Sequence, residues 1–139
     1  MILVDASVWI DFFRGRIDAC TDELARLLED ASAPLRIADL TLFEVLRGFA
    51  DERDFKAASR VLSAVEVVHV AGEDNALRAT DHYRLLRKAG QTNNSLADLF
   101  LASYCIEQDC ALLHNDRDFD VFENRRGLKV WRGPSQGPT

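Results

Sequence analysis

Apolar positions along this chain follow two rhythms. Short apolar or β-branched runs occur at Met1–Val4, Leu35–Ala38, Glu66–Val70, Ala111–Leu113 and Leu128–Trp131, and these predict strands. Between them the spacing becomes helical. Trp9, Phe12 and Phe13 sit at i, i+3 and i+4, and Leu24, Leu27, Leu28 and Ala31 repeat the pattern before Pro34 breaks it. Further helices are predicted over about Leu42–Phe49, Asp51–Ala64 and Glu73–Ala89, the last carrying Ala76, Ala79, Tyr83 and Leu86 on one face and stopping at Gly90. Ser95–Gln108 is apolar almost all round and reads as a buried helix, and Asp116–Glu123 as a short one.

Strands that alternate with helices predict an α/β fold: a mainly parallel central sheet with helices on both faces. With 139 residues, a single domain with a single core is expected over residues 1–132. The tail, residues 133–139, has the composition of a disordered segment. In such folds ligands bind beyond the carboxyl ends of the strands, which says where to look for chemistry.

Composition adds exclusions. Hydrophobic residues make up 47% and charged residues 29%, an ordinary globular balance. No apolar run approaches the ~20 residues that span a bilayer. The opening Met1–Asp5 has no basic region and reads as a strand rather than a signal peptide, so no membrane association and a cytoplasmic location are expected. Cys20, Cys105 and Cys110 form neither an even set nor a CxxC pair, which fits small buried residues in a reducing compartment. The formal net charge of −6 weighs against a polyanionic partner.

Four acids stand in apolar company. Asp5 follows Ile2-Leu3-Val4, Glu44 lies within Leu42–Leu46, Asp98 within Leu96–Leu101, and Asp116 ends the run from Ala111. A buried carboxylate is paired, protonated or bound to metal, and no Lys or Arg lies within these runs. Asp5 and Asp116 are expected at strand ends, with Glu44 and Asp98 in first helical turns, so all four can meet at one edge of the sheet. Clustered carboxylates require a cation, and all-oxygen ligands suit Mg²⁺ or Mn²⁺ rather than zinc, as one ion or two. Such a site attacks phosphodiesters by metal-activated water. Asp118 is near enough to Asp116 to join it.

Plainer roles compete. Thr41-x-x-Glu44 and Ser95-x-x-Asp98 match capping boxes, Asp116 fits a helix N-cap, and Asp5 a strand-end turn. Asp11 falls on the polar side of its helix, and Asp39 fits a helix-start turn. His69, His82 and His114 are scattered and read as core or surface residues.

The four acidic segments together resemble the PIN-domain family, in particular the VapC toxins of bacterial toxin–antitoxin pairs. Met1–Ile10 looks like the family's first strand and acidic turn, Leu42–Gly48 like its second motif, Ser95–Ala102 like its third and Leu112–Phe119 like its fourth. The resemblance covers nearly the whole chain. It implies that Asp5, Glu44, Asp98 and Asp116 are catalytic metal ligands, with Ser7 close by and Asn115 where the fourth motif varies. It also implies an endoribonuclease using Mg²⁺ or Mn²⁺, a homodimer held in check by a cognate VapB-type antitoxin, and a structured RNA substrate such as transfer or ribosomal RNA. Ser7 fits equally well as the N-cap of a helix from Val8. Apolar positions near the cleft, including Phe12, Phe13, Phe43 and Leu46, are candidate anchors for a partner helix or simply core.

The charge objection then weakens, because setting the four acids aside leaves −2 of the −6. Bases cluster at Arg14 and Arg16, at Arg84, Arg87 and Lys88, and at Arg125, Arg126, Lys129 and Arg132, and any of these clusters could hold phosphates. A phosphoacceptor receiver domain is disfavoured because a single acid follows the first strand and no lysine follows the last. A DxD phosphatase is disfavoured because Ser7 replaces the second Asp. The remaining alternative is a non-catalytic PIN-like module that binds RNA or protein.

Overall fold

The computed structural model describes residues 1–91 and 94–134. Its centre is a five-stranded sheet in the order β3-β2-β1-β4-β5, built from β1 (Ile2–Val4), β2 (Leu35–Ala38), β3 (Glu66–Val68), β4 (Ala111–Leu113) and β5 (Lys129–Val130). All four pairings are parallel, with Ile2 opposite Leu35 on one side and Ala111 on the other. The sheet is therefore wholly parallel, where the sequence predicts only a predominance.

The buried run Ile2-Leu3-Val4 is explained by the pleat. Successive side chains point to opposite faces, so a central strand covered on both sides must be apolar throughout. Ile2 and Val4 enter a core with Val8, Trp9, Leu24, Ile37, Val45 and Leu62. Leu3 enters a second core with Leu86, Leu101, Leu112, Phe119 and Phe122. Helices α1 (Ala6–Phe13), α2 (Ala19–Glu29), α3 (Asp39–Leu46) and α4 (Glu52–Leu62) supply the first core. Helices α5 (Glu73–Lys88), α6 (Leu96–Glu107) and α7 (Asp120–Arg126) supply the second.

Several predicted boundaries move. α3 begins at Asp39 rather than Leu42 and stops at Leu46. Its N-cap is Ala38, with no side-chain cap, so the usual polar start signal is missing. The helix predicted from Asp116 divides into a 3-10 turn over Arg117–Phe119 and then α7. α6 is not buried all round, because Leu96 is 70% exposed. Cys105 and Cys110 are buried, and all three cysteines are free. Of the predicted tail, Gly133 is buried at φ +104, where an added Cβ would lie 3.1 Å from the Glu23 carboxylate, and residues 135–139 lie outside the described residues.

One polar cluster fastens the second layer. His82, on α5, is 4% exposed. Its Nδ1 accepts from Arg126 Nε of α7 at 3.0 Å, so Nε2 carries the proton and faces Glu107 Oε2 of α6 at 3.3 Å. Burial first, and Arg126 second to the pull of Glu107, hold the imidazole below its ordinary pKa and neutral.

Candidate metal centre at the sheet's switch point

Strand order reverses direction between β1 and β4, where chain connections leave to opposite sides and a crevice opens beyond the strand ends. Asp5 stands there because it directly follows β1, its N–H donating to Leu113 O at 2.9 Å. Asp116 reaches the same edge three residues beyond β4. α6 brings Asp98 in its first turn, and α3 brings Glu44.

Each acid is held locally. Asp5 is the N-cap of α1, and its Oδ2 accepts from Ser7 Oγ at 2.5 Å and Ser7 N at 3.3 Å. The alternative of Ser7 as an N-cap is thereby corrected: Asp5 caps, and Ser7 lies inside the helix holding the capping carboxylate. Ser95 Oγ caps α6 by accepting from Asp98 N at 3.1 Å, which fixes the first turn that carries Asp98. Asp116 Oδ1 accepts from Asp118 N at 2.9 Å. The Thr41–Glu44 capping box does not form, because Thr41 is buried within α3 and the helix starts earlier. Glu44 is consequently in the second turn of α3, not the first, and gains little from the helix dipole.

One oxygen each from Asp98, Asp116 and Asp118 lie within 4.8 Å of one another, the spacing of a cation's ligands. Asp5 and Glu44 are joined to this group by charge. Asp98 is pushed up to about 6, first by burial, then by the charge of Asp5, with Asp116 and Glu44 adding to it against the Ser95 hydrogen bond. Glu44 is raised by burial and by Asp5 against the pull of Arg47. Asp5 is raised by burial, which outweighs its bonds to Ser7, and by Asp116. No ion pair from Lys or Arg reaches these five acids among the described residues. A set of mutually repelling carboxylate oxygens without an internal cation fits a hard divalent ion.

The rival acids separate cleanly. Asp39 Oδ1 accepts from Leu40 N and from Val70 N, both at 2.9 Å, and so fastens the chain leaving β3. Asp11 lies 4.0 Å from Arg16. Asn115 is exposed and makes no side-chain hydrogen bond among the described residues. Sequence reasoning missed His114. Its Nδ1 accepts the Asp116 N–H at 3.2 Å and its ring packs on Phe119 at 4.9 Å, so it orients the segment that carries Asp116. Burial holds this imidazole below its ordinary pKa against the nearby acids. Its position between two apolar leucines and Asp116 was the available signal.

A parallel α/β sheet with acids gathered at its switch point defines an α/β class with a candidate metal centre, and comparison with known families narrows it. Residues 2–124 match the PIN domain, and the chain belongs to that family. Two of its similar relatives are Ribonuclease VapC11 of Mycobacterium tuberculosis and a VapC ribonuclease of Mycobacterium bovis, each 30% identical over 130 residues, spanning 94% of this chain and 97% of the relative. The fold is shared with VapBC2 of Rickettsia felis bound to a promoter DNA fragment (TM-score 0.75, 17% identity, 94% and 98% coverage). It is also shared with FitAcB of Neisseria gonorrhoeae (TM-score 0.72, 16% identity, 98% and 99% coverage).

Proposed function

We propose that this protein is a metal-dependent endoribonuclease acting as the toxin of a toxin–antitoxin pair. The observation that carries the reading is the grouping of Asp98, Asp116 and Asp118 within ligand spacing, with Asp5 and Glu44 joined to them by charge and no ion pair to any of the five among the described residues. Asp5, Glu44, Asp98 and Asp116 are the proposed ligands and catalytic set, with Asp118 completing the tight group around Asp98 and Asp116. A Mg²⁺ or Mn²⁺ ion there supplies Lewis-acid polarisation of the phosphate and a nucleophilic water at neutral pH. Ser7 keeps Asp5 turned into the crevice, and Ser95 and His114 fix the backbone that carries Asp98 and Asp116. The raised carboxylates must lose protons before they ligate, so metal affinity is expected to rise with pH through about 6.

The toxin role supplies a partner. VapBC complexes are among the solved neighbours, and the chain presents two matching surfaces for an inhibitory protein. One is the acidic crevice, which attracts an Arg or Lys side chain. The other is a groove of about 570 Å³ between α1, α3 and α4, lined by Ile10, Phe13, Val45 and Phe49 among others. Phe43 is 62% exposed beside Arg47, whose guanidinium lies 5.4 Å from its ring, whereas Phe12, Phe13 and Leu46 pack partly against the core. The same reading places the protein in the cytoplasm with its RNA.

The test is RNA cleavage by purified protein. Activity is expected with Mg²⁺ or Mn²⁺, to stop in EDTA and to return when the ion is restored. Cleavage that persists in EDTA would overturn the metal dependence. Growth arrest on expression, relieved by the product of the neighbouring gene and absent for Asp98→Asn, is the expected outcome for the toxin role.

A further inference from the structure

Three basic clusters look equivalent in the sequence, and the fold separates them. Arg126 is committed to His82, Arg132 to Glu123 at 3.1 Å, Lys129 to Asp109 at 2.5 Å, and Arg16 to Asp18 at 3.2 Å. Arg84, Arg87, Lys88, Arg117 and Arg125 are exposed and have neither an ion pair nor a side-chain hydrogen bond among the described residues.

Their placement is not scattered. Arg84, Arg87 and Lys88 alone line a concave opening of about 380 Å³ at the end of α5. Arg117 and Arg125 line a second opening of about 590 Å³, together with Gln91, Asp120, Val121 and Asn124. Gln91 lies three residues beyond Lys88, the last residue of α5, so the two openings are near neighbours along the chain. Both lie on segments that adjoin the acids in the chain or in the packing. Arg117 stands between Asp116 and Asp118, and α5 packs along α6, whose first turn carries Asp98. The dipole at the end of α5 favours bases in its last turn, which accounts for Arg87 and Lys88 as residue types. It does not account for three unpaired cations around one hollow, or for the continuation through Arg117 and Arg125.

We propose that these five cations form a phosphate track that carries an RNA strand from the end of α5 into the acidic crevice. This rests on the nuclease reading and names how that site holds its substrate. A crevice of carboxylates in a chain of net charge −6 repels a polyanion, so strand binding needs positive charge on the approach. Asp120 is the single acid lining either opening, against five bases. Contacts of this kind position the backbone and leave sequence choice to other groups.

The experiment compares the native protein with the triple variant Arg84→Gln/Arg87→Gln/Lys88→Gln on two substrates, a labelled RNA hairpin and a dinucleotide, the shortest chain that carries the scissile phosphate. For the hairpin, KM is expected to rise by roughly tenfold or more with kcat unchanged, and the slope of log KM against log salt to fall by about 2 to 3. The dinucleotide should be cut equally by both proteins. The control Arg53→Gln/Arg60→Gln, on α4, should match the native protein. An unchanged hairpin KM, or equal losses on both substrates, would overturn the track. Hairpin binding by fluorescence anisotropy in EDTA separates the two readings. If the native protein binds RNA without cutting it, the nuclease reading fails and the binding loss in the triple variant still decides the track. If the native protein does not bind the hairpin, the track fails too.

Discussion

The molecule holds two clusters of ionisable side chains, each with one buried member, Asp5 and His82, and they are built on opposite terms. Around His82 the needs are met internally: Arg126 donates to one ring nitrogen and Glu107 receives the other, so three helices are joined with a neutral imidazole at the centre. At the switch point five acids gather, three of them (Asp5, Glu44 and Asp98) raised by burial and by the charge of neighbouring acids, and no base of the chain forms an ion pair with them among the described residues. The first group contributes stability. The second costs stability in the free protein and retains its purpose only if a cation arrives. A carboxylate that a fold leaves uncompensated is therefore a better guide to chemistry than one that is simply buried.

The sharpest way to break this contrast is to remove one carboxylate from the crevice. Asp98→Asn is expected to lower RNA cleavage by about 10²-fold or more, the scale of losing one electrostatic group aimed at the reacting centre. The same variant should melt higher than the native protein when both are in EDTA at neutral pH, by roughly 4 °C for each kcal/mol of repulsion removed. A variant that is both inactive and less stable in EDTA would show that Asp98 is structural.

The complementary change is at His82. His82→Ala leaves Glu107 and Arg126 without their shared partner and opens a gap in α5. It is expected to cost about 2 kcal/mol in urea unfolding, with the nuclease kcat retained in the folded protein. Loss of activity without loss of stability would tie the two groups together.

The smallest expected effect is a pH dependence. Asp98 sits at about 6 in the folded chain against 3.8 for the free side chain, so between these values the native state binds more protons than the unfolded state. Its contribution to stability is thus present at low pH and is lost as pH rises from about 4 to about 6. His82 and His114, both held below their ordinary value, act with the opposite sign and lose stability as pH falls below 6.5. The difference between Asp98→Asn and the native protein isolates the carboxylate. In EDTA the Tm advantage of the variant should be small near pH 4, grow up to about pH 6 and then level off. With Mn²⁺ present the native protein should recover the difference.

The four acids were legible because a charged residue in an apolar run breaks local consistency, and such a break needs only neighbours in sequence to be seen. The strands at Ile2–Val4 and Ala111–Leu113 were legible for a related reason, since burial on both faces leaves no polar position. The start of α3 was not, because Ala38 gives no capping signal and the acid beside it, Asp39, is turned away to hold Val70 N–H. The roles of His114 and of the free and committed arginines were also hidden. Whether Arg126 is spent on His82, or Arg84 on nothing, depends on contacts between residues dozens of positions apart.

The register of β1 has a bearing on how the protein comes into being. Its strand lies at the centre of the sheet and pairs with β4, whose residues are more than a hundred positions further along the chain. Asp5 leaves the ribosome more than a hundred residues ahead of Asp116. Parallel pairing over such a span is slow, because a long loop must close before any contact rewards it. The nascent chain therefore carries Asp5 and Glu44 well before Asp98 and Asp116 are made. The crevice can exist only once β4 and Asp116 have emerged, so the hazard posed by such an enzyme begins late in its translation and not with its first acids.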